Sequence, residues 1–487
     1  MSNRDTNFRS VFINGLRWSA LKRFGQAFLS IIVTIIMARL LNPSDFGLVA
    51  MATVFTGISN VFTELGTGEA LIRKKNPTND FISSIFWLNT GLAFFVCLIL
   101  AAIASSVADL YGQDIVEILI YVLSIEILLS GVNRVSHALL EKNMRFKAIA
   151  FAQITSQICG ASIGITMAFL GYGLWSLVFL GISSQLIYTI IVNIALRWRP
   201  SVTFNFNHIK SIFSFSSYLT LVKILDHIQR RSEIFIVSYL MGSHLGGVYS
   251  QSHTLLRKPV KLISGFMAPV LFSTMSSLSE NIERIQSLYL KSIQSFAMIY
   301  IPISIILILY SEPFVLFILG EKWFEMAEIM PVFGFMLVFA SMHKCNTIAL
   351  KSVGRVDLLF RMYVVFVIAS IVGCIIGAQF GIFWVAVGML ITTFLLFIAS
   401  TIISIQVLRI KFVIYFEQIS TLITYGLLMF ISGYLLNILL GSFFESGHIL
   451  LGIFGFSICS TVYILALLMR PVPAWHHFKE LLNIRKL

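Results

Sequence analysis

The sequence predicts an all-α polytopic membrane protein with about 14 transmembrane helices. Three observations lead to this fold class: 57% of the 487 residues are hydrophobic, 12% are charged, and the mean hydropathy is +0.90. Soluble domains carry roughly 25% charged residues, and a soluble fold of this size cannot hide so much apolar surface from water. The composition therefore favours a lipid bilayer as the solvent.

Apolar runs long enough to cross the hydrocarbon core define the predicted helices. Such a helix needs about 20 residues, and the first run, near residues 24–38, lacks a cleavage pattern and is expected to remain as a span. The spans are predicted at 17–41, 45–69, 82–108, 115–140, 148–170, 174–196, 211–241, 245–275, 289–310, 326–349, 358–379, 382–408, 413–440 and 447–469. Between the ninth and tenth spans, residues 314–319 are expected to form a short interfacial helix.

Charges in the loops support the span count independently of hydropathy. Basic residues accumulate in alternate loops, whereas the other loops hold a single one, Lys322. The basic loops contain Arg73, Lys74, Lys75, Lys142, Arg145, Lys147, Arg197, Arg199, Lys210, Arg284, Lys351, Arg355, Arg409 and Lys411. Because cytoplasmic loops accumulate Lys and Arg, these loops and both termini are predicted to be cytoplasmic. The net charge of +13 is explained in the same way, so nucleic acid is not expected as a partner.

The sequence carries no motif of a catalytic or nucleotide-driven protein. It contains no phosphate-binding loop, no zinc-protease motif, no paired-cysteine motif and no nucleophile elbow. The five cysteines lie in or beside apolar runs and are expected to be reduced. The loops are too short for an extramembrane domain. We therefore expect a protein that is not an enzyme and has no cofactor or metal.

Charged side chains inside spans 7 and 8 are the main candidate functional residues, because each charge costs about 2.5–3.5 kcal/mol at the centre of a span. Helical spacing places Asp226 beside Arg230, and puts Arg257 and Lys261 on one stripe with His253. The excess of bases over acids predicts a hydrated cationic cavity that attracts an anion. The bases are Lys223, Arg230, Arg231, Arg257, Lys258 and Lys261, and the acids are Asp226 and Glu233.

Charges in other spans have two interpretations. Arg39, near the outer end of span 1, either snorkels to the interface or extends the cationic set, and Glu126 on span 4 is a further intramembrane acid. Structural pairing between helices stays an equal alternative for Lys22, Arg23, Arg134 and Lys344. Pro259 is expected to kink span 8 beside its basic stripe.

A weak internal repeat relates the two halves at a shift of 200 residues. Because spans 1 and 7 run in the same direction, the repeat predicts two parallel six-helix lobes with a substrate site between them. The lobes are assigned to residues 1–200 and 201–410, and residues 411–487 to two extra helices and a basic tail. The matched pairs include Trp18 with Tyr218, Arg23 with Lys223, and Gly47 with Gly247.

Several motifs resemble those of Wzx-type polysaccharide flippases, in particular the WzxC-like branch. The likeness covers most of residues 10–410, and one departure is Glu64, where an Asp is commoner. The motifs are RFGQ at 23–26, ARLLNPSDFGLVAM at 38–51, ELGTGEALI at 64–72, GGVYSQSHTLLRKPV at 246–260 and PVLFSTMSSL at 269–278.

The resemblance implies the fold of the multidrug/oligosaccharidyl-lipid/polysaccharide (MOP) exporters, which the multidrug MATE transporters share. It implies a flippase that moves undecaprenyl-diphosphate-linked oligosaccharide across the bacterial inner membrane by alternating access, for exopolysaccharide synthesis with a polysaccharide polymerase. Nothing in the sequence demands more than a monomer. The basic residues of spans 7 and 8, with Arg39, are then expected to bind the diphosphate. Asp226, Glu233 and Glu126 are the candidates for coupling to an ion.

Two other functions stay open at this point. A MATE-like multidrug antiporter needs an acidic or aromatic cavity, whereas the charges here are basic. A membrane-embedded polymerase or acyltransferase needs a constellation of acids or His at one interface, or a large outer loop.

Overall fold

The computed structural model describes residues 2–57, 67–205, 217–278, 281–441 and 449–473. Within these ranges the chain is helical and no strand occurs, so the predicted all-α fold is confirmed. The helices are α1 (Ser2–Leu40), α2 (Pro43–Thr56), α3 (Thr67–Arg73), α4 (Asn79–Tyr111), α5 (Ile115–Lys142), α6 (Phe146–Phe169), α7 (Trp175–Leu196), α8 (Ser217–Ser277), α9 (Ile282–Leu309), α10 (Ser311–Leu319), α11 (Phe324–Ser352), α12 (Val356–Ala378), α13 (Ile382–Val407), α14 (Phe412–Gly441) and α15 (Ile449–Met469).

Most predicted spans correspond to one helix each. Eleven helices of the described ranges are long and apolar enough to cross a membrane, and the broken helix α8 raises the number to 12. The second predicted span begins as α2 and continues into residues 58–66, which lie outside the described ranges. The predicted short helix at 314–319 is present as α10.

Helix α8 contains predicted spans 7 and 8 and reverses direction at Gly242. This residue has φ 83° and ψ 177°, a conformation that Gly adopts readily because it has no Cβ. The Tyr249 hydroxyl donates a hydrogen bond to Glu233 at 3.2 Å, whereas the same residues in a straight helix would be roughly 24 Å apart. Residues 217–241 are called the first arm below, and residues 243–277 the second arm. A further break lies between Lys258 and Ile263, next to Pro259.

Helix α2 and the second arm approach each other at backbone distance. A Cβ atom on Gly47 would lie 1.7 Å from the Ser243 carbonyl oxygen, and one on Gly247 would lie 1.9 Å from the Pro43 carbonyl oxygen. The sequence repeat pairs these two glycines, and the structure places them in contact. Neither position can carry a side chain unless the two helices separate.

The start of α2 explains why the chain turns there. Pro43 occupies the first helical turn, where its missing N–H is not needed. The backbone N–H of Asn42 donates a hydrogen bond to the Asp45 carboxylate at 3.0 Å, as the acid at the third helical position does in a capping box. The sequence NPSDFG therefore ends α1 and starts α2 within a few residues.

The internal repeat is also visible in the backbone. Residues with positive φ recur in pairs about 210 residues apart, as in Met144 with Gly354 and Gly171 with Gly381. This spacing exceeds the 200 residues between Gly47 and Gly247. Part of the difference lies at α10: α4 has 33 residues, whereas α9 and α10 together extend from Ile282 to Leu319. The gap-free shift of 200 predicted from sequence therefore applies to the first spans of each half only.

Contacts between Cα atoms divide the chain into two units, residues 1–250 and 251–487. The boundaries of the lobes predicted at 200 and 410 follow the repeat and stay a prediction.

In the first unit, side-chain hydrogen bonds join α5 to α7. Asn133 donates to Thr189 at 2.9 Å, and Ser136 donates to Asn193 at 2.7 Å.

The second unit has a comparable polar connection around Asn346 on α11. Its amide donates to Ser400 and Thr401 on α13, both at 2.9 Å, and its carbonyl accepts from the Tyr289 hydroxyl on α9 at 2.7 Å. A fully satisfied buried network of this kind specifies one packing arrangement of its helices.

The contact between α2 and the second arm gives a stability prediction. We expect Gly47→Ala to lower the free energy of unfolding by about 1–3 kcal/mol, because the added methyl group overpacks a backbone contact. Thermal unfolding in detergent measures the effect. Gly91→Ala on α4 is the matched control, since no atom lies within 4 Å of its Cβ position. Equal melting temperatures for the two variants would contradict the contact.

Candidate functional site

The predicted cationic residues occupy both arms of α8. Asp226, Arg230, Arg231 and Glu233 lie on the first arm, in the unit formed by residues 1–250. Lys223 lies on the same arm, but its side chain is outside the described part of the structure. The remaining bases lie on the second arm, in the unit formed by residues 251–487: Arg257, Lys258 and Lys261.

Asp226 and Arg230 form the ion pair that their spacing predicts. A guanidinium nitrogen of Arg230 lies 2.5 Å from a carboxylate oxygen of Asp226, and the two side chains are 40% and 36% exposed. A guanidinium group has five N–H donors, so this contact leaves donors for another anion. Arg230 is therefore held in position by its partner and remains accessible.

Arg231 lies over the end of α2. One of its guanidinium nitrogens is 3.5 Å from the Thr53 hydroxyl, and the other is 2.6 Å from where a Cβ on Gly57 would be. A cation at the C-terminal end of a helix interacts favourably with the helix dipole. The arrangement places Arg231 at the point where the described part of α2 ends.

Glu233 connects the two arms of α8. It is 1% exposed, and its carboxylate accepts hydrogen bonds from Tyr249 on the second arm and from the Gln229 amide on its own arm. A buried carboxylate without donors is costly, so these bonds stabilise the reversal at Gly242.

The basic stripe on the second arm becomes more exposed along its length. His253 is buried and packs its ring edge-on against Phe333, with 5.5 Å between ring centroids. Arg257 and Lys258 are half-buried, and Lys261 is exposed. The stripe thus has an apolar end and an accessible cationic end.

Two predicted residues lie on other helices of the first unit. Arg39 is exposed in the last turn of α1. Glu126 on α5 is half-buried and faces α7, where a Cβ on Gly181 would lie 2.1 Å from its carboxylate oxygen. Of the described residues, none forms a hydrogen bond or ion pair with Glu126, and no cluster of His, Cys, Asp and Glu among them suits a metal.

Sequence reasoning missed two glycines that make room for these charges, Gly57 beside Arg231 and Gly181 beside Glu126. Gly is about 1 kcal/mol less favourable than Ala inside a helix. A glycine in an apolar helical run was the available signal, but Gly91 has open space at its Cβ position, so this signal alone does not identify the glycines that face a larger group.

The sequence is similar to those of known polysaccharide biosynthesis proteins. The family model described as "Polysaccharide biosynthesis protein" matches residues 36–328. The chain is 27% identical over 351 residues to the succinoglycan biosynthesis transport protein ExoT of Rhizobium meliloti. The aligned region covers 70% of this chain and 69% of ExoT. It is 22% identical over 407 residues to the lipopolysaccharide biosynthesis protein WzxC of Escherichia coli, with 82% and 81% covered.

Solved structures confirm the predicted fold type. The lipid II flippase MurJ in an inward closed conformation superposes with a TM-score of 0.73 at 15% identity, covering 93% of this chain and 98% of that one. An inward-facing multidrug resistance MATE family transporter of the MOP superfamily gives 0.60 at 15% identity, covering 80% and 98%. At these identities the likeness concerns the fold.

The bond between Tyr249 and Glu233 gives a second stability prediction. Tyr249→Phe is expected to lower the free energy of unfolding by about 1.5–3 kcal/mol, because a hydrogen bond to a buried carboxylate is lost. Thermal unfolding in detergent is again the measurement. Tyr239→Phe, at an exposed tyrosine of the first arm, is the control and should melt like the parent. A Tyr249→Phe protein as stable as the control would show that the bond does not stabilise the reversal.

Proposed function

Because the chain belongs to the polysaccharide biosynthesis protein family, we propose that this multi-pass bacterial membrane protein flips undecaprenyl-diphosphate-linked oligosaccharide across the inner membrane. ExoT is named as a succinoglycan biosynthesis transport protein, and WzxC as a lipopolysaccharide biosynthesis protein. A fold similar to that of a lipid II flippase supports the export of a lipid-linked sugar. The product would enter exopolysaccharide synthesis, where a polysaccharide polymerase is the expected downstream partner of a monomeric flippase.

The observation that carries the substrate assignment is the basic charge on α8. Arg230 is accessible and retains N–H donors beyond its bond to Asp226, and the second arm presents Arg257, Lys258 and Lys261. A diphosphate is an anion whose oxygens suit the planar fork of Arg. Lys223, Arg231 and Arg39 are included in the proposed cationic set because of their charge.

The positive-inside rule supports the orientation that export requires. The loop between α5 and α6 carries Lys142, Arg145 and Lys147, and the loop after α13 carries Arg409 and Lys411. We assign these loops and both termini to the cytoplasm. The substrate would then bind from the leaflet where it is made and leave on the opposite side.

A multidrug antiporter is the alternative that the MATE neighbour suggests. Such a transporter binds organic cations, and a cation near the second arm would be repelled by Arg257, Lys258 and Lys261. The charge on α8 therefore favours an anionic substrate over a cationic drug.

Of the three candidate coupling acids, Glu126 is the one that we propose for proton exchange. Asp226 is paired with Arg230, and Glu233 accepts hydrogen bonds inside the α8 hairpin. Glu126 has no such partner among the described residues, and α7, which it faces at Gly181, carries no charged residue. A carboxylate in this setting exchanges a proton more readily than one in a permanent ion pair.

The diphosphate assignment predicts a transport defect without loss of fold. We expect Arg230→Ala and Arg257→Ala to slow translocation of a fluorescent polyprenyl-diphosphate oligosaccharide in proteoliposomes roughly 10- to 100-fold. This range corresponds to about 1.5–3 kcal/mol for a hydrogen bond to a charged group.

Arg355→Ala is the matched control for this experiment. Arg355 also pairs with a nearby acid, Asp357, at 3.2 Å, and its side chain is 47% exposed, but it lies in the connection before α12. Asp226→Asn tests for loss of the ion pair alone and should retain transport. Parental rates in both Arg230→Ala and Arg257→Ala would refute the assignment.

Proton exchange at Glu126 predicts a specific loss of coupling. Translocation by the parent should change when a pH gradient is imposed across the proteoliposome, whereas Glu126→Gln should translocate at one rate with or without the gradient. Glu117→Gln, near the start of the same helix, is the control and should respond like the parent. A Glu126→Gln protein that still responds to the gradient would exclude Glu126 as the coupling group.

A further inference from the structure

An open groove lies between α1 and α6 in the first unit. Its volume is about 610 Å³, within the roughly 300–1,000 Å³ range of ligand sites. Apolar side chains form most of its surface, and two basic residues stand at one end. Its lining includes Trp18, Arg145, Lys147, Phe151, Ile154 and Thr155.

The groove follows α6 from its basic start towards the middle of the membrane. From Arg145 to Thr155 the helix rises roughly 15 Å, about half of the 30 Å hydrocarbon core. Phe151, in the middle of this stretch, is 62% exposed. The dimensions and polarity therefore match one leaflet of the bilayer, with the charges at the interface.

The two basic side chains are held at the mouth of the groove without a carboxylate partner in the described ranges. The Arg145 guanidinium donates to the Ala195 carbonyl oxygen at 2.8 Å, which fixes its position at the end of α7. The Lys147 ammonium lies 5.6 Å from the centroid of the Trp18 ring, within cation–π range. Both side chains are exposed.

The corresponding loop in the second half of the chain, before α12, has the same backbone shape without two adjacent unpaired bases. The positive charge of Arg145 and Lys147 is therefore not needed to form the loop before α6. Arg355 precedes α12 as Arg145 precedes α6, and their backbones agree closely, with φ and ψ of −88° and 51° against −81° and 49°. In place of Lys147 the second half has Asp357, which pairs with Arg355 at 3.2 Å. The second repeat thus neutralises Arg355 with an acid, whereas the first repeat places a second base, Lys147, beside Arg145.

We propose that the groove between α1 and α6 is a binding site for an anionic phospholipid. The phosphate contacts Arg145 and Lys147, and an acyl chain lies along Phe151 and Ile154 beside the Trp18 ring. Basic pockets between membrane helices bind anionic headgroups in this way. With the orientation proposed above, this site faces the cytoplasmic leaflet. The binding of an anionic lipid does not itself depend on that orientation.

Quenching of Trp18 fluorescence tests the proposal directly. The protein is placed in phosphatidylcholine nanodiscs that contain equal fractions of brominated phosphatidylglycerol or brominated phosphatidylcholine, and the Trp18 signal is the difference between the parent and Trp18→Phe. We expect the anionic lipid to be enriched at Trp18 roughly five-fold for each basic residue, from about 1 kcal/mol per charge. Lys147→Asp, which copies the sequence of the second repeat, should abolish the preference.

Lys411→Asp is the control, because Lys411 is also an exposed lysine at the start of a membrane helix. It should keep the preference for phosphatidylglycerol. Arg230→Ala should keep it too, so a failure of transport does not affect this readout. Equal quenching by both lipids, a preference that survives Lys147→Asp, or stronger quenching by a brominated polyprenyl phosphate than by phosphatidylglycerol would overturn the proposal.

Discussion

Placing a charged side chain in hydrocarbon is costly, and this cost explains the surroundings of the charged residues in the membrane helices. Three charged residues of α8 have defined contacts. Arg230 pairs with Asp226, Glu233 accepts a hydrogen bond across the α8 hairpin, and Arg231 lies at the end of α2. On α8 itself, six basic residues face two acidic ones, Asp226 and Glu233. Under the proposed function, the anionic diphosphate of the substrate binds to these basic residues.

Glycines on neighbouring helices make room for some of these charges. Gly57 and Gly181 leave space for Arg231 and Glu126, and Gly242 allows α8 to reverse so that Tyr249 reaches Glu233. Gly47 and Gly247 let α2 and the second arm touch at the backbone. Small residues let the backbones of membrane helices approach closely, and these contacts involve no side-chain polar group that would lose a partner if the helices of the proposed flippase moved apart.

The sequence predicted the helices well because every backbone polar group in a bilayer must be satisfied within its own helix. Even the reversal within α8 was visible, as the short loop between predicted spans 7 and 8. Contacts between distant residues could not be predicted: nothing in the sequence alone places Arg231 over Gly57 or Glu126 against Gly181. The repeat was found at Gly47 and Gly247, and the short helix α10 was predicted, but the change in spacing between the two halves was not, because the gap-free alignment rested on the first spans alone.

The central claim is that the protein recognises the diphosphate that joins lipid to sugar. The most direct measurement compares, for the unmodified protein in proteoliposomes, the translocation of one oligosaccharide on a polyprenyl diphosphate with that of the same oligosaccharide on a phosphate-free polyprenyl chain. If the diphosphate is recognised, the diphosphate-linked compound is translocated and the other shows only background flipping. Equal rates for the two compounds would mean that the basic residues of α8 do not select the substrate, and would refute recognition of the diphosphate.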